Sequence, residues 1–394
     1  MYIKKSVLVI CSVILIIVTA VVAIGAVNPF GFTNYADFMR FSVISKTIKS
    51  MYYKEVPASE YANSAIQGFA QGTGDVYTNY IYGDDAEEYM EDVSGSFEGI
   101  GVYIENNTED NTITVVSAIS GTPAEEAGLV SGDKILKVAG ESYTGEQMNE
   151  AVNKMKGESG TTVDIQVLKA ESGEYVDLTI VRRQIDVKTV ESRIIDGTRV
   201  GYVSISQFTE TTAGDFEAAL DTLTKDGANS LVIDLRNNPG GYMESAVEIA
   251  SNFVKSGDTV VYTMDKNGNR EDYKSKGKQR YISVAVLINQ GSASASEILT
   301  GALKDYGLAY VIGEKSYGKG IVQTVFEMDG SVVSVTTASY YTPSGVCIHG
   351  VGIEPDMNVP MELSKYAELD KLALSEDEQL KAAVEYLNNA KTQQ

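Results

Sequence analysis

Ser283-Val284-Ala285-Val286-Leu287-Ile288-Asn289-Gln290-Gly291-Ser292-Ala293-Ser294-Ala295-Ser296-Glu297-Ile298 passes from an uncharged apolar run, through a turn of small polar residues, into a helical pattern. The first six residues have the length and branching of a buried strand, and the pattern after the turn predicts a helix from Ser294 to Tyr306. The same arrangement occurs upstream. Leu231-Val232-Ile233-Asp234-Leu235 is a second buried-strand run, followed by Arg236-Asn237-Asn238-Pro239-Gly240-Gly241 and a helix from about Tyr242 to Phe253. Val200–Ile205 and a helix over Ala213–Leu223 come before it. Strand and helix in alternation, with strands apolar on both faces, predict a mainly parallel sheet covered by helices.

Outward from this core the texture changes. Between Gly95 and about Arg183 the chain alternates short strands with glycine turns: Ile100–Ile104, Thr112–Val116, Lys134–Val138, Thr162–Leu168 and Tyr175–Val181. One helix, Gly145 to Met155, interrupts them, so a compact β-rich module is expected. Residues 35–94 read as helical, with Phe38, Phe41, Ile44 and Ile48 at helical spacing and a second helix over Tyr61–Phe69. Lys266–Lys278 reads as an exposed hairpin tip, and residues 370–390 as an acidic helical tail.

At the N-terminus Ser6 to Val27 carries no charge and follows Lys4 and Lys5. About 20 such residues cross a bilayer, so a transmembrane helix is expected, with the chain after about residue 30 outside the cytoplasm. Ala23-Ile24-Gly25-Ala26 offers an alternative small-residue cleavage site.

Composition excludes several classes. With 32 basic and 54 acidic residues the net charge is −22, which argues against nucleic acid as a partner. Two cysteines, Cys11 and Cys347, and one histidine, His349, give no disulfide framework and no zinc spacing, so neither metal nor cofactor is expected.

Chemistry concentrates at two places. Ser294 lies where a strand gives way to a helix, a junction that offers free backbone N–H groups and the positive end of a helix dipole to an oxyanion; an ordinary N-cap is the competing reading. Lys319 lies in Gly313-Glu314-Lys315-Ser316-Tyr317-Gly318-Lys319-Gly320-Ile321-Val322-Gln323, flanked by glycines and followed by apolar residues. A partly dry pocket would favour its neutral amine, which can take a proton from a serine; a surface turn lysine is the competing reading. Gly313 with Gly318-Lys319 matches G-x-x-x-x-G-K, but Gly320 replaces the Ser or Thr that would hold magnesium, so a nucleotide site is disfavoured. A Ser-His-Asp triad would have to use His349, at what reads as a strand edge, and lysine is the better base. The Gly240-Gly241 turn exposes amides at the carboxyl edge of the sheet, where ligands bind in open α/β folds.

In order and spacing these segments resemble the carboxyl-terminal processing proteases, Ser–Lys serine peptidases with a PDZ domain. Gly74–Tyr80, Gly95–Val102, Asp234–Gly241, Gly291–Ile298, Tyr340–Gly345 and Gly352–Asp356 carry the resemblance, with Val76 where proline is usual. It implies a mixed α/β and β multidomain chain: cytoplasmic stub and anchor 1–30, helical region 31–94, PDZ-like domain 95–184, protease core of crotonase/ClpP-like type 185–362 and helical tail 363–394. It implies a serine endopeptidase, which the N-terminal run would make single-pass and extracytoplasmic, with Ser294 as nucleophile, Lys319 as general base and Gln323 orienting the lysine. The oxyanion hole would be Ala295 N–H with Gly240 or Gly241, a choice left open. Protein or peptide substrates with apolar C-termini would be gripped at Gly99, Ile100, Gly101 and Val102, with Val152 and Met155 as pocket walls, by addition to a sheet edge. A homodimer is a further implication. The competing reading is a catalytically silent PDZ scaffold that binds C-termini.

Overall fold

The computed structural model describes residues 34–390 apart from 279, 281–282, 368 and 370–371. The chain divides into two compact units, one of residues up to 83 with the hairpin tip 325–335, the other of 84–324 with 336 onward. The first contains helices Tyr35–Met51 and Ala58–Gln71 and the strand Asn79–Tyr82. Asn34 caps the first helix by accepting the Asp37 N–H at 2.8 Å, as its side chain predicts. Asn79–Tyr82 pairs antiparallel with Ser331–Ser334, and the Tyr80 hydroxyl donates to Asn63 Oδ1 at 3.0 Å.

The expected N-terminal transmembrane helix is corrected. Among the described residues no helix is long and apolar enough to cross a membrane, and that expectation falls on residues 1–30, outside the described ones.

The second unit holds two cores. In the β-module, strands Val102–Asn107, Thr112–Ala118, Lys134–Val138, Thr162–Leu168 and Tyr175–Val181 form one antiparallel sheet in that order. Strict alternation in Thr162–Leu168 turns Val163, Ile165 and Val167 into a core with Ile113, Ile135 and Ile180. The helix expected over Gly145–Met155 starts as a 3₁₀ turn, Gly145–Gln147, and is α-helical from Met148. Ser96–Gly99 pairs with Arg183–Asp186, so the module enters and leaves its neighbour through adjacent strands.

The larger core is a six-stranded sheet in which Val200–Ile205, Ser230–Asp234, Ser283–Ile288 and Ala309–Gly313 are parallel neighbours. Val190–Ile194 is antiparallel at one edge and Met357–Asn358 parallel at the other. Helices Thr212–Lys225, Met243–Ala250 and Ala295–Asp305 cover one face through Phe216, Leu220, Ile249 and Leu299. The segment expected as an acidic tail is no loose appendage. Its helix, Glu378–Ala390, seats Leu380, Ala383, Val384 and Leu387 on the other face, against Val232, Ala285 and Leu287. Both faces are therefore buried, which is why those strands are apolar throughout.

Candidate active site

The three serines of the turn after Ser283–Ile288 have different fates. Ser292 is fully buried and its hydroxyl donates to Leu235 O at 2.8 Å. Ser296 is fully buried as well and donates to Asn238 O at 3.0 Å. Ser292 thus ties its turn to Leu235, just past the strand Ser230–Asp234, and Ser296 ties the helix to the Arg236–Gly241 turn. Ser294, between them, is half-buried, and at φ 54°, ψ −115° it has a backbone that non-glycine residues rarely adopt. Such a conformation costs about 1–3 kcal/mol and persists only where surrounding structure imposes it.

Two buried side chains impose it. Glu297, three residues on, accepts the Ser294 N–H at Oε2 (3.0 Å), and the same oxygen accepts the Lys319 N–H at 2.8 Å. Its other oxygen takes the Gly318 N–H (2.8 Å) and the Ser316 hydroxyl (2.5 Å). Tyr340, 1% exposed, points its hydroxyl at the carbonyl oxygens of both Ser294 (3.0 Å) and Lys319. Burial, reinforced by the Glu297 charge, pushes the Tyr340 hydroxyl far above its ordinary value, so it stays a neutral donor. Serine and lysine thus share one carboxylate oxygen through their amides and one hydroxyl through their carbonyls. Residues 25 positions apart are held in the same few ångströms of space.

Glycines make the approach feasible. A Cβ on Gly240 would lie 2.6 Å from Ser294 Cβ and 2.9 Å from Ala295 N. On Gly318 it would meet Gly352 N at 2.9 Å, and on Gly320 His349 N at 2.4 Å. The Gly240 N–H is already used, donating to Asn238 Oδ1 at 2.8 Å. For the N–H groups of Gly241 and Ala295, no acceptor is found among the described residues. His349 is exposed and packs its backbone and Cβ against Gly320, a poor position for a triad base.

The resemblance expects Gln323 to orient Lys319. Gln323 lies on the strand Ile321–Met328, where side chains repeat every second residue, and its amide donates to Thr336 Oγ1 at 3.3 Å. In the β-module Gly99, Ile100, Gly101, Val102, Val152 and Met155 do come together, lining a small cavity of about 50 Å³ with Phe97, Ile104 and Lys156. Gly101, at φ 79°, lets the loop press on Thr122, whose side chain a Cβ would meet at 2.4 Å.

Sequence reasoning missed Glu297 and Tyr340. Ser294-x-x-Glu297 has capping-box spacing, a signal that could have pointed to the carboxylate. Tyr340 opens one of the segments that carry the resemblance, but nothing there marked its hydroxyl, because its partners are backbone atoms of distant segments.

Comparison with known proteins identifies the family. The sequence model of peptidase family S41 matches residues 199–359, and that of the PDZ domain matches 114–169. The chain is 38% identical over 343 residues to the carboxy-terminal processing protease CtpA of Bacillus subtilis, covering 86% of this chain and 72% of that one. The chain belongs to the carboxyl-terminal processing proteases of family S41. This S41 member is also 35% identical over 367 residues to a protein of Staphylococcus aureus described as "Probable CtpA-like serine protease", covering 90% of this chain and 72% of that one. An S41 protease candidate of solved structure, from Bacteroides fragilis, matches with TM-score 0.50 at 18% identity over 88% of this chain and 97% of that one, which speaks for the fold alone. The protein is accordingly a serine-type peptidase with a PDZ domain.

Proposed function

We propose that this S41 peptidase cuts protein substrates with a Ser294–Lys319 dyad. The observation that carries the reading is the shared anchoring of the two residues by Glu297 and Tyr340. The neutral Lys319 amine takes the proton of Ser294 Oγ as that oxygen attacks the scissile carbonyl. The resulting oxyanion is met by the N–H groups of Ala295 and Gly241, the latter preferred because the Gly240 N–H is committed to Asn238. The lysine returns its proton to the leaving amine, and water then hydrolyses the acyl-enzyme through the same base. Gln323 supports the lysine in this scheme, through an arrangement other than a helical one.

The PDZ groove takes an apolar C-terminus, its carboxylate at the Gly99–Val102 loop and its last side chain between Val152 and Met155. The assignment of 95–184 to this module and 185–362 to the catalytic core rests on their separate hydrophobic clusters. Action outside the cytoplasm is supported by the charge-free Ser6–Val27 run behind Lys4 and Lys5, read as an export signal.

The test is cleavage of a reporter protein with an apolar C-terminus by wild type, Ser294→Ala and Lys319→Ala. Loss of about 10⁴-fold or more in kcat for Ser294→Ala and a comparable loss for Lys319→Ala are expected. Equal turnover by all three would remove the dyad. Binding of the reporter by a wild type that neither cleaves it nor reacts with a serine-directed probe would leave a scaffold.

A further inference from the structure

The polar groups of the C-terminal segment are aimed at the catalytic loops. The Arg236 side chain, fully buried at the start of the oxyanion turn, pairs with Asp234 on one side (2.5 Å) and with Asp377 on the other (2.8 Å). Its Nη1 also donates to Gln379 Oε1 at 3.1 Å. Asp377 in turn caps the C-terminal helix by accepting the Leu380 N–H at 2.9 Å. Tyr366, earlier in the same segment, accepts Asn237 Nδ2 at its carbonyl (2.7 Å) and donates its hydroxyl to Glu314 at the head of the lysine loop. That hydroxyl also accepts from Gln379 Nε2 at 2.8 Å. Asn237, at φ 58°, exchanges bonds with Asn289, both at 2.8 Å, where the nucleophile turn begins.

Two loops therefore meet on one strap, the oxyanion turn through Arg236 and Asn237 and the lysine loop through Glu314, and the nucleophile turn is tied to the first of them by the Asn237–Asn289 bonds. We infer that the C-terminal segment, through Tyr366 and the helix that Asp377 caps, sets the relative position of these loops, with Tyr366 and Asp377 as positioning residues for the peptidase reaction. The inference rests on the Ser294–Lys319 reading of the site. Apolar contact alone would hold the helix on the sheet. The buried polar groups add direction, since a guanidinium between two carboxylates and a hydroxyl between a carboxylate and an amide are satisfied in one geometry only.

The full-length enzyme carrying Tyr366→Phe or Asp377→Asn tests this, with Tyr386→Leu as a comparison that loosens the same helix by removing its stack on Tyr310 (4.0 Å). Measured are kcat and KM on the reporter, affinity for a peptide boronic acid that mimics the tetrahedral state, PDZ affinity for a C-terminal peptide, and Tm. Tyr366→Phe is expected to lower kcat roughly tenfold, and boronate affinity by a like factor, with KM and PDZ affinity within about twofold. Tyr386→Leu is expected to lower Tm and leave kcat unchanged. Unchanged kcat in folded Tyr366→Phe and Asp377→Asn, or a loss of kcat in all three variants that tracks Tm, overturns the strap. Should the dyad reading itself fail, Ser294→Ala will retain wild-type turnover; failure of the strap alone leaves Ser294→Ala dead and Tyr366→Phe fully active.

Discussion

Two buried carboxylates, one in each core of the larger unit, are put to different uses. Asp133 in the PDZ module is fully buried and accepts the N–H groups of Val130 (3.0 Å) and Ala170 (2.9 Å) and the Lys169 ammonium. It pins one turn to the end of a neighbouring strand, and no reacting group lies nearby in sequence. Glu297 in the catalytic core is 1% exposed and accepts three amide N–H groups and a hydroxyl, two of the amides belonging to Ser294 and Lys319. The chemistry of the anchor is the same in both. Only what hangs on it differs, so loss of Asp133 is expected to cost stability and loss of Glu297 to cost geometry first.

The comparison breaks most visibly at Glu297. Glu297→Ala leaves buried amides without acceptors, each costing about 1–3 kcal/mol, and frees the serine and lysine backbones from each other. A kcat loss on the order of 100-fold or more is expected, with PDZ affinity for a C-terminal peptide unchanged. Steady-state kinetics beside peptide titration checks this, and a Glu297→Ala enzyme with normal kcat would make the carboxylate a mere helix cap.

A smaller effect is expected at Asp133, where it reads out in stability. Burial pushes its carboxyl up, but Lys169 and the two amides outweigh burial and hold it below the usual carboxylate range. A group depressed in the folded state stabilises above its unfolded value, about 3.9, and loses that contribution as pH falls through the folded value. Asp133→Asn should therefore lower stability by about 1–3 kcal/mol at pH 7, a difference that shrinks below about pH 4. Denaturant melts across pH measure it, and a pH-independent difference would count against the ionised carboxylate as the anchor.

The smallest effect lies in the PDZ groove, whose wall is partly exposed and yields to change. Val152→Ala removes two methyl groups from a pocket already small, and should weaken C-terminal peptide binding by about 1 kcal/mol, roughly fivefold in Kd, with kcat untouched. A drop in kcat there would mean that groove and catalytic centre are coupled.

The strands of both cores were legible because burial on one face or two writes itself into alternation or into apolar runs. Lys134–Val138, Thr162–Leu168, Tyr175–Val181, Val200–Ile205 and Ser283–Ile288 have the same ends in sequence and structure. The catalytic loops were legible as motifs, since glycines at Gly240, Gly318 and Gly320 are demanded by close approach of one backbone to another. The setting of Gln323 was not legible in its spacing from Lys319, because that spacing does not say that the segment is a strand with alternating side chains. The C-terminal segment read as a tail because its acidic residues mask an apolar face of four side chains, whose purpose lies in a sheet face formed far away in sequence.

By itself the sequence determined the strand–turn–helix order, the family resemblance and which residue types could react. Tertiary structure alone decided that Ser292 and Ser296 spend their hydroxyls on buried carbonyls while Ser294 stays half-buried, that Glu297 and Tyr340 join serine to lysine, and that the C-terminal helix backs the site. Local pattern records what a residue needs from its near neighbours. Hydrogen bonds to backbone atoms leave no such record, because every residue type presents the same amide and carbonyl, and only the fold determines whose they are.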